Sequence, residues 1–421
     1  MHEKADEMAA DNAAARPALV VGAGPAGLMA AEAMARAGRK VVVHDASPSP
    51  ARKFLLAGRG GLNLTHSEPL PLLLGRYGAA ADRLRPAIEA FPPEALRHWA
   101  AELGEETFVG SSGRVFPKSF KATPLLRAWL RRLAALGVAL TSRSRFVGFG
   151  DGGALRFASP QGEDIIEAAA VVFALGGASW PRLGSDGGWV EAFGAAGVEV
   201  RPLAPANCGF LVAWSDHVRG RFAGAPLKTI ALRHGDARVR GEAVVTATGL
   251  EGGAIYALSA RLRDAIAADG GTTLALDFRP DVDEGALAAR LVRKPGQSVA
   301  TVLRKAGLAP VAAALMREAG PLPESPEGLA TRAKRCELRL TGAAPIARAI
   351  STAGGVAWSE IDDDFMLVRR PGLFVAGEMI DWEAPTGGYL LQACFSTGAA
   401  AGRAAARFAA AADLPAAGRA G

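Results

Sequence analysis

Cysteine is scarce in this chain and nowhere paired along it. Its three cysteines, Cys208, Cys336 and Cys394, stand far apart with no CxxC spacing. That excludes a disulfide framework and a cysteine metal site, and it suits a reducing, cytoplasmic setting. The six histidines form no HExxH pattern, so metal chemistry has no support. No run of about 18 uncharged apolar residues occurs, which argues against a membrane span. The opening "MHEKADEMAADNAAAR" carries acids and no continuous apolar stretch, so residues 1–16 read as a disordered tail and not as a secretory signal. Residues 409–421, rich in Ala and Gly, read as a frayed end. Acids are also missing locally. Between Thr107 and Gly150 there is no Asp or Glu, while Arg114, Lys118, Lys121, Arg127, Arg131, Arg132, Arg143 and Arg145 fall inside. With a net charge of +6, that stretch is a solvated helix face with some residues turned to ligand phosphates, or else a polyanion surface.

What is present points first to a nucleotide. At 421 residues, 50% of them hydrophobic, the chain suits two or three domains with a large core. In "ALVVGAGPAGLMAAEAMARAGRKVVVHDAS", Ala18 to Val21 reads as a buried strand and Gly22 to Gly27 as a tight turn. Leu28 to Ala37 reads as a helix and Lys40 to His44 as a second strand, which together make a βαβ unit. Gly22 allows the turn, Gly24 lets the backbone approach a pyrophosphate beside Pro25 and Ala26, and Gly27 lets helix pack on strand. The helix N-terminus offers free N–H groups to the phosphates. Asp45, followed by Ala46, lies about 20 residues after the glycines, where a carboxylate accepts the hydroxyls of a ribose. The stretch Gly148 to Gly153 fits the same glycine pattern but sits between two strand-like runs, so it reads as a hairpin turn.

Beyond Asp45, a glycine-rich loop carries Arg52, Lys53, Arg59, Gly60, Gly61, Asn63 and Thr65, a composition suited to wrapping backbone around a ligand. Residues 79–106 read as helical. A further helix follows, with Thr123 as its N-cap and Pro124 at its first position. A β-meander containing Phe146 and Val147 then leads into the apolar strand Ala169 to Leu175, closed by Gly176. Alternating strand-like runs begin near residue 201 with no βαβ pattern, then a polar helical stretch extends from Asp283 to about Ala333. The expected organisation is a nucleotide-binding domain over 17–200 and 341–408, interrupted by an inserted domain over 201–340.

The fingerprint, "GRGGLNLTHS", "GRVFPKSFKATPLL", "ALGGASWPRLGSDG", "TGLEGGAIYALS" and "PGLFVAGEMIDWEAPTGGYLLQACFSTG" resemble, in order and spacing, the bacterial flavoproteins called YhiN-like or BaiN-like. The similarity covers nearly all of residues 17–408. It implies an α/β fold: a Rossmann-like FAD-binding domain of the two-dinucleotide-binding type, split in sequence by an inserted β-barrel plus helical domain. It further implies FAD-dependent reductase activity, on activated C=C bonds or, for some members, on a uridine of ribosomal RNA. The chain departs from many relatives at Gly61-Leu62, where they carry Arg-Cys, so no thiol role is carried over there. Within the C-terminal motif, Gly377 and Glu378 end a buried strand, where Glu378 can accept hydrogen bonds from ribityl hydroxyls; Asp381 is a second candidate. Gly387, Gly388 and Tyr389 open a helix whose N–H groups suit the N1–C2=O edge of reduced flavin. The cofactor-binding candidates also include Ala174 and Leu175 beside Gly176.

No second genuine fingerprint exists in the sequence, so NAD(P)H, as electron donor, is expected to dock transiently. Flavin performs hydride transfer and the protein supplies a proton. Candidate acids are Lys121, with Lys118 near it, Cys208, Tyr256 and Cys394, and Glu251 is a further possible contact. Three function classes result. The first is a reductase of a small molecule with an electron-poor C=C bond. The second is an RNA-modifying reductase using the basic stretch with Arg219, Arg221 and Lys228, and the third a flavin-binding protein without turnover. No membrane partner is expected.

Overall fold

A computed structural model describes residues 16–57 and 60–412. Arg59, most of the expected N-terminal tail, and residues 413–421 lie outside the described residues. The chain divides into two compact units, one formed by residues 16–204 with 351–412, the other by Pro205–Ile350.

The first unit is built on a five-stranded parallel sheet in the order Leu373–Val375, Ala170–Phe173, Ala18–Val21, Val41–Asp45, Ala139–Ser142. The Ala18–Val21 strand is buried throughout, as a central parallel strand covered on both faces must be. Helix Pro25–Arg36 follows it and packs against the long helix Tyr389–Ala412. Small residues set that distance: a Cβ on Gly398 would lie 2.2 Å from the Ala26 carbonyl oxygen, and one on Gly402 2.5 Å from that of Ala30. The Arg145–Phe149 and Leu155–Ser159 strands form an antiparallel hairpin. Gly152 and Gly153 turn it with φ of 65° and 88°.

Several local expectations need correction. Residues 79–106 hold two helices, Ala81–Ala90 and Pro93–Glu102, because Pro92 and Pro93 lack N–H groups and the residue before a proline avoids helical backbone. The next helix is Ala122–Ala135; its N-cap is Lys121, with no side-chain cap, and Thr123 lies inside the first turn. The C-terminal helix runs to Ala412, through the first residues expected to fray.

The second unit spans 205–350 instead of 201–340. Seven strands pair antiparallel, ending on Cys336–Leu340 at one edge and Gly342–Ala343 at the other. Only Thr341 separates those two edge strands, and its N–H bonds the Leu211 carbonyl at 3.0 Å, which keeps residues past 340 in this unit. Four helices between Glu284 and Lys334 cover part of the sheet. Lys334 ties them to it through Asp277 at 2.9 Å. No helix among the described residues is long and apolar enough to cross a membrane.

Candidate functional site

The glycine turn divides its labour sharply. Gly22 has φ of 105°, and a Cβ there would fall 2.3 Å from the Ala174 carbonyl oxygen. A Cβ on Gly27 would fall 1.8 Å from the Gly22 carbonyl oxygen. Both are glycine because strand, turn and helix touch. Gly24 differs, since it is the helix N-cap with φ of −80° and ψ of −179°, and nothing lies within 4 Å of a Cβ placed there. Its bareness faces open space. Asp45 fastens the turn: one carboxylate oxygen accepts from the Ala23 N–H at 2.7 Å, the other from the Ser47 N–H at 2.7 Å. Each oxygen retains a lone pair for a ligand.

The turn opens onto a cleft of the first unit with an empty volume of ≈ 1010 Å³ counting its open mouth. Gly22, Gly24, Pro25 and Ala26 line it on one side, Asp45 and Ala46 beyond them. Arg52, Lys53 and Phe146 also reach it, as do Ala174, Leu175 and Gly176. Glu378 and Cys394 border it too. Gly27, by contrast, sits behind the turn as packing. Sequence reasoning missed His44, Ser47, Ser144, Ser185 and Trp189, all of which border the cleft, as does Arg145 of the acid-free stretch. His44, directly before Asp45, bonds Ser144 Oγ through Nδ1 at 2.8 Å, and burial lowers its pKa below the ordinary value.

Two charged pairs border this cleft, Arg145–Asp186 and Lys53–Glu378. Lys53 Nζ lies 2.7 Å from a Glu378 carboxylate oxygen and donates to Ser179 Oγ at 2.7 Å. The Thr352 N–H donates to Glu378 at 2.9 Å, and Thr352 Oγ1 accepts from the Ala178 N–H at 2.9 Å. The carboxylate, 7% exposed, is therefore compensated as a buried charge requires. Cys394 lies beside it, its thiol pushed up to about 12 by burial and then by the Glu378 charge. Asp381 does not border the cleft; burial raises its pKa above the usual carboxylate range.

The remaining expected residues gather at a neighbouring corner. Gly388 has φ of 96°, and a Cβ on it would come within 2.5 Å of the Thr65 carbonyl oxygen. Thr65 Oγ1 donates to Gln392 at 2.7 Å, and Tyr77 Oη donates to the Tyr389 carbonyl at 2.8 Å. Two distant motifs are thus locked together. The Tyr389 ring stacks on His66 at 5.2 Å, under Arg76. Arg76 in turn grips Glu68 at 3.0 and 2.7 Å. Burial, then Glu68, holds the Tyr389 phenol well above its ordinary range. Gly377 and Gly387 flank this region, with φ of 77° and 144°. A Cβ on Gly60 would meet nothing within 4 Å, and one on Gly61 would strike the Phe120 ring at 2.3 Å. Val147 is exposed and turned away.

The proton-donor candidates are dispersed. Lys121 is exposed, and Lys118 is ion-paired with Glu106. Cys208 is buried in the core of the second unit, with Sγ 3.3 Å from Ser259 Oγ. Tyr256, also in that unit, has its phenol pushed up by burial and then by Glu251. Of the four chosen, only Cys394 borders the cleft. The outward arginine surface is corrected as well. Arg127 and Arg131 are exposed, but Arg132 turns to Glu32 at 3.2 Å and Glu102 at 3.3 Å, acids from outside the acid-free stretch. Arg145 is likewise paired, with Asp186 at 2.9 Å.

Whether a flavin dinucleotide fits can be tested on these residues alone. Ser185 Oγ, at the border of the cleft, is buried with no hydrogen-bond partner among the described residues, and Gly24 leaves its face bare. Buried polar atoms seldom go unpaired; a ligand rich in hydroxyls and phosphates supplies what is missing. The residues fit FAD.

Comparison with known proteins agrees. The model of the HI0933-like protein Rossmann domain matches residues 16–404. A 3-dehydro-bile acid delta(4,6)-reductase of Clostridium scindens is 26% identical over 405 residues, covering 92% of this chain and 98% of that one. Among solved structures, a 3-ketosteroid delta1-dehydrogenase from Sterolibacterium denitrificans has a TM-score of 0.53 at 14% identity, covering 94% of this chain and 99% of that one. The quinol fumarate reductase of E. coli has a TM-score of 0.51 at 17% identity, covering 95% of this chain and 71% of that one. At such identities these two structures share the fold.

Proposed function

We infer the reaction from one premise: the chain belongs to the HI0933-like Rossmann family, and it is an FAD-dependent oxidoreductase. We propose that it reduces an electron-poor C=C bond of a small molecule, with NAD(P)H docking transiently as donor. The observation that carries this is similarity along nearly the whole chain to a reductase of an unsaturated bile acid. A second support is the single glycine fingerprint among the described residues, which leaves a nicotinamide donor no nucleotide fold of its own.

Bound FAD supplies hydride transfer. The chain's own residues bind and orient. Gly24, Pro25 and the N–H groups of helix Pro25–Arg36 hold the pyrophosphate, and Asp45 the adenosine ribose. Glu378, fixed by Lys53 and the Thr352 N–H, accepts from the ribityl hydroxyls. The N-terminus of helix Tyr389–Ala412 would offer its dipole to negative charge on the pyrimidine edge.

The test is anaerobic. The full chain is reduced with NADH or NADPH and mixed with α,β-unsaturated ketones, among them ketosteroids conjugated through one and two C=C bonds, while flavin absorbance is followed. Reoxidation with formation of the saturated ketone supports the reading. A flavin that oxygen reoxidises but no conjugated ketone does would refute it.

A further inference from the structure

Ser185 is the residue of the cleft whose chemistry is unfinished. It is 7% exposed, borders the cleft, and its hydroxyl has no partner among the described residues. Its segment is built to hold it there. Trp180, Gly184 and Gly187 have φ of 62°, 95° and 71°, left-handed backbone that for Trp180 is costly. A Cβ on Gly184 would fall 2.6 Å from Ser47 Oγ, so the segment lies directly on the chain just past Asp45. Trp189 Nε1 pins its far end to the Gly176 carbonyl at 2.9 Å. Asp186 closes it, accepting from Arg145 at 2.9 Å and from the Gly188 N–H at 3.0 Å.

We propose that Ser185 is a ligand of the ADP half of the dinucleotide, positioned by the Arg145–Asp186 latch. The inference rests on the FAD reading and says which half the hydroxyl serves. Ser47 and Arg145 touch this segment, Asp45 and Ser144 lie within two residues of them in sequence, and all four border the cleft, whereas Glu378 would serve the ribityl end. In the cofactor-free chain the buried, unpaired hydroxyl is destabilising; the ligand supplies its partner.

That gives Ser185→Ala a double signature. Full-length chain stripped of flavin is titrated calorimetrically with FAD, ADP and FMN. The variant should lose about three- to tenfold in affinity for FAD and for ADP alike, the worth of one hydrogen bond. FMN affinity and the flavin midpoint potential should not move, and the Tm of the stripped protein should be equal to wild type or higher. Asp186→Asn should speed FAD dissociation without altering the potential. Unchanged FAD and ADP affinity in Ser185→Ala overturns the contact alone, and so does a shift in FMN affinity or potential. A wild-type chain that binds ADP but not FAD overturns the cofactor reading instead.

Discussion

Replacing Gly24 and Gly27, three residues apart in the same turn, should damage the protein in opposite ways. At Gly27 an added Cβ lies 1.8 Å from the Gly22 carbonyl oxygen and 3.2 Å from the Ala174 Cβ. The neighbour is backbone, and it cannot retreat because Gly22 is itself pressed against Ala174. Gly27→Ala should therefore cost about 3 kcal/mol or more, at or above the upper end for overpacking. Gly24 has ordinary extended backbone and nothing within 4 Å of its Cβ position. Gly24→Val should leave the stripped protein folded at a cost of no more than about 1 kcal/mol, the difference between glycine and valine at a helix N-cap. Its isopropyl group occupies the face that the pyrophosphate needs. Losing two charge-assisted backbone hydrogen bonds at about 1.5–3 kcal/mol each lowers FAD affinity by roughly a hundredfold or more. Thermal unfolding followed by circular dichroism, with and without FAD, separates the cases. Wild type at a hundredfold excess of FAD over Kd gains about 2.7 kcal/mol, and Gly24→Val should gain almost nothing. A Gly24→Val protein binding FAD within threefold of wild type, or a Gly27→Ala protein as stable as wild type, would refute the reasoning.

Glu32, 2% exposed, accepts from the Trp99 and Trp129 indoles at 3.1 and 2.7 Å and from Arg36 and Arg132. Glu32→Leu should cost about 3–5 kcal/mol in urea unfolding, since it strands two buried donors and a half-buried cation; a loss under 1 kcal/mol would contradict that. Lys53→Met should weaken FAD binding and destabilise the chain. Pairing it with Glu378→Gln should recover about 1–2 kcal/mol of stability as coupling energy, whereas strict additivity would deny the pair. Cys336 and Cys394 have thiols pushed up to about 12 from 9.0 by burial. The unfolded chain releases those protons near pH 9 and the folded chain only near 12, so stability is intact below pH 9 and falls as pH rises between them. Each thiol should contribute a loss of about 1.4 kcal/mol at pH 10. Cys336→Ala should flatten the slope of stability against pH above 9, and an unaltered slope would exclude its share.

The parts legible in the sequence are those whose causes lie close together along it. Strand, glycine turn, helix and second strand fit within residues 18–45, and each glycine's role follows from local geometry that a motif can carry. Pro92-Pro93 was equally local, and a strict reading of proline splits the helical stretch there. What escaped depends on distant partners. Counting acids between Thr107 and Gly150 could not reveal that Arg132 meets Glu32, 100 residues away. Nor could composition show that Thr341 bonds Leu211, 130 residues earlier in sequence, and so extends the second unit past residue 340. Lys53 and Glu378 were each identifiable as cofactor candidates, but their pairing spans 325 positions and belongs to the fold. Ser185 and Asp186 lay hidden for a different reason, because a serine and an aspartate among glycines and prolines look like any turn. Only burial separates a turn serine that water satisfies from one that waits for a ligand. The cleft is therefore written twice, once as a glycine pattern and once as a hydroxyl left unpaired, and the second requires three dimensions to be read.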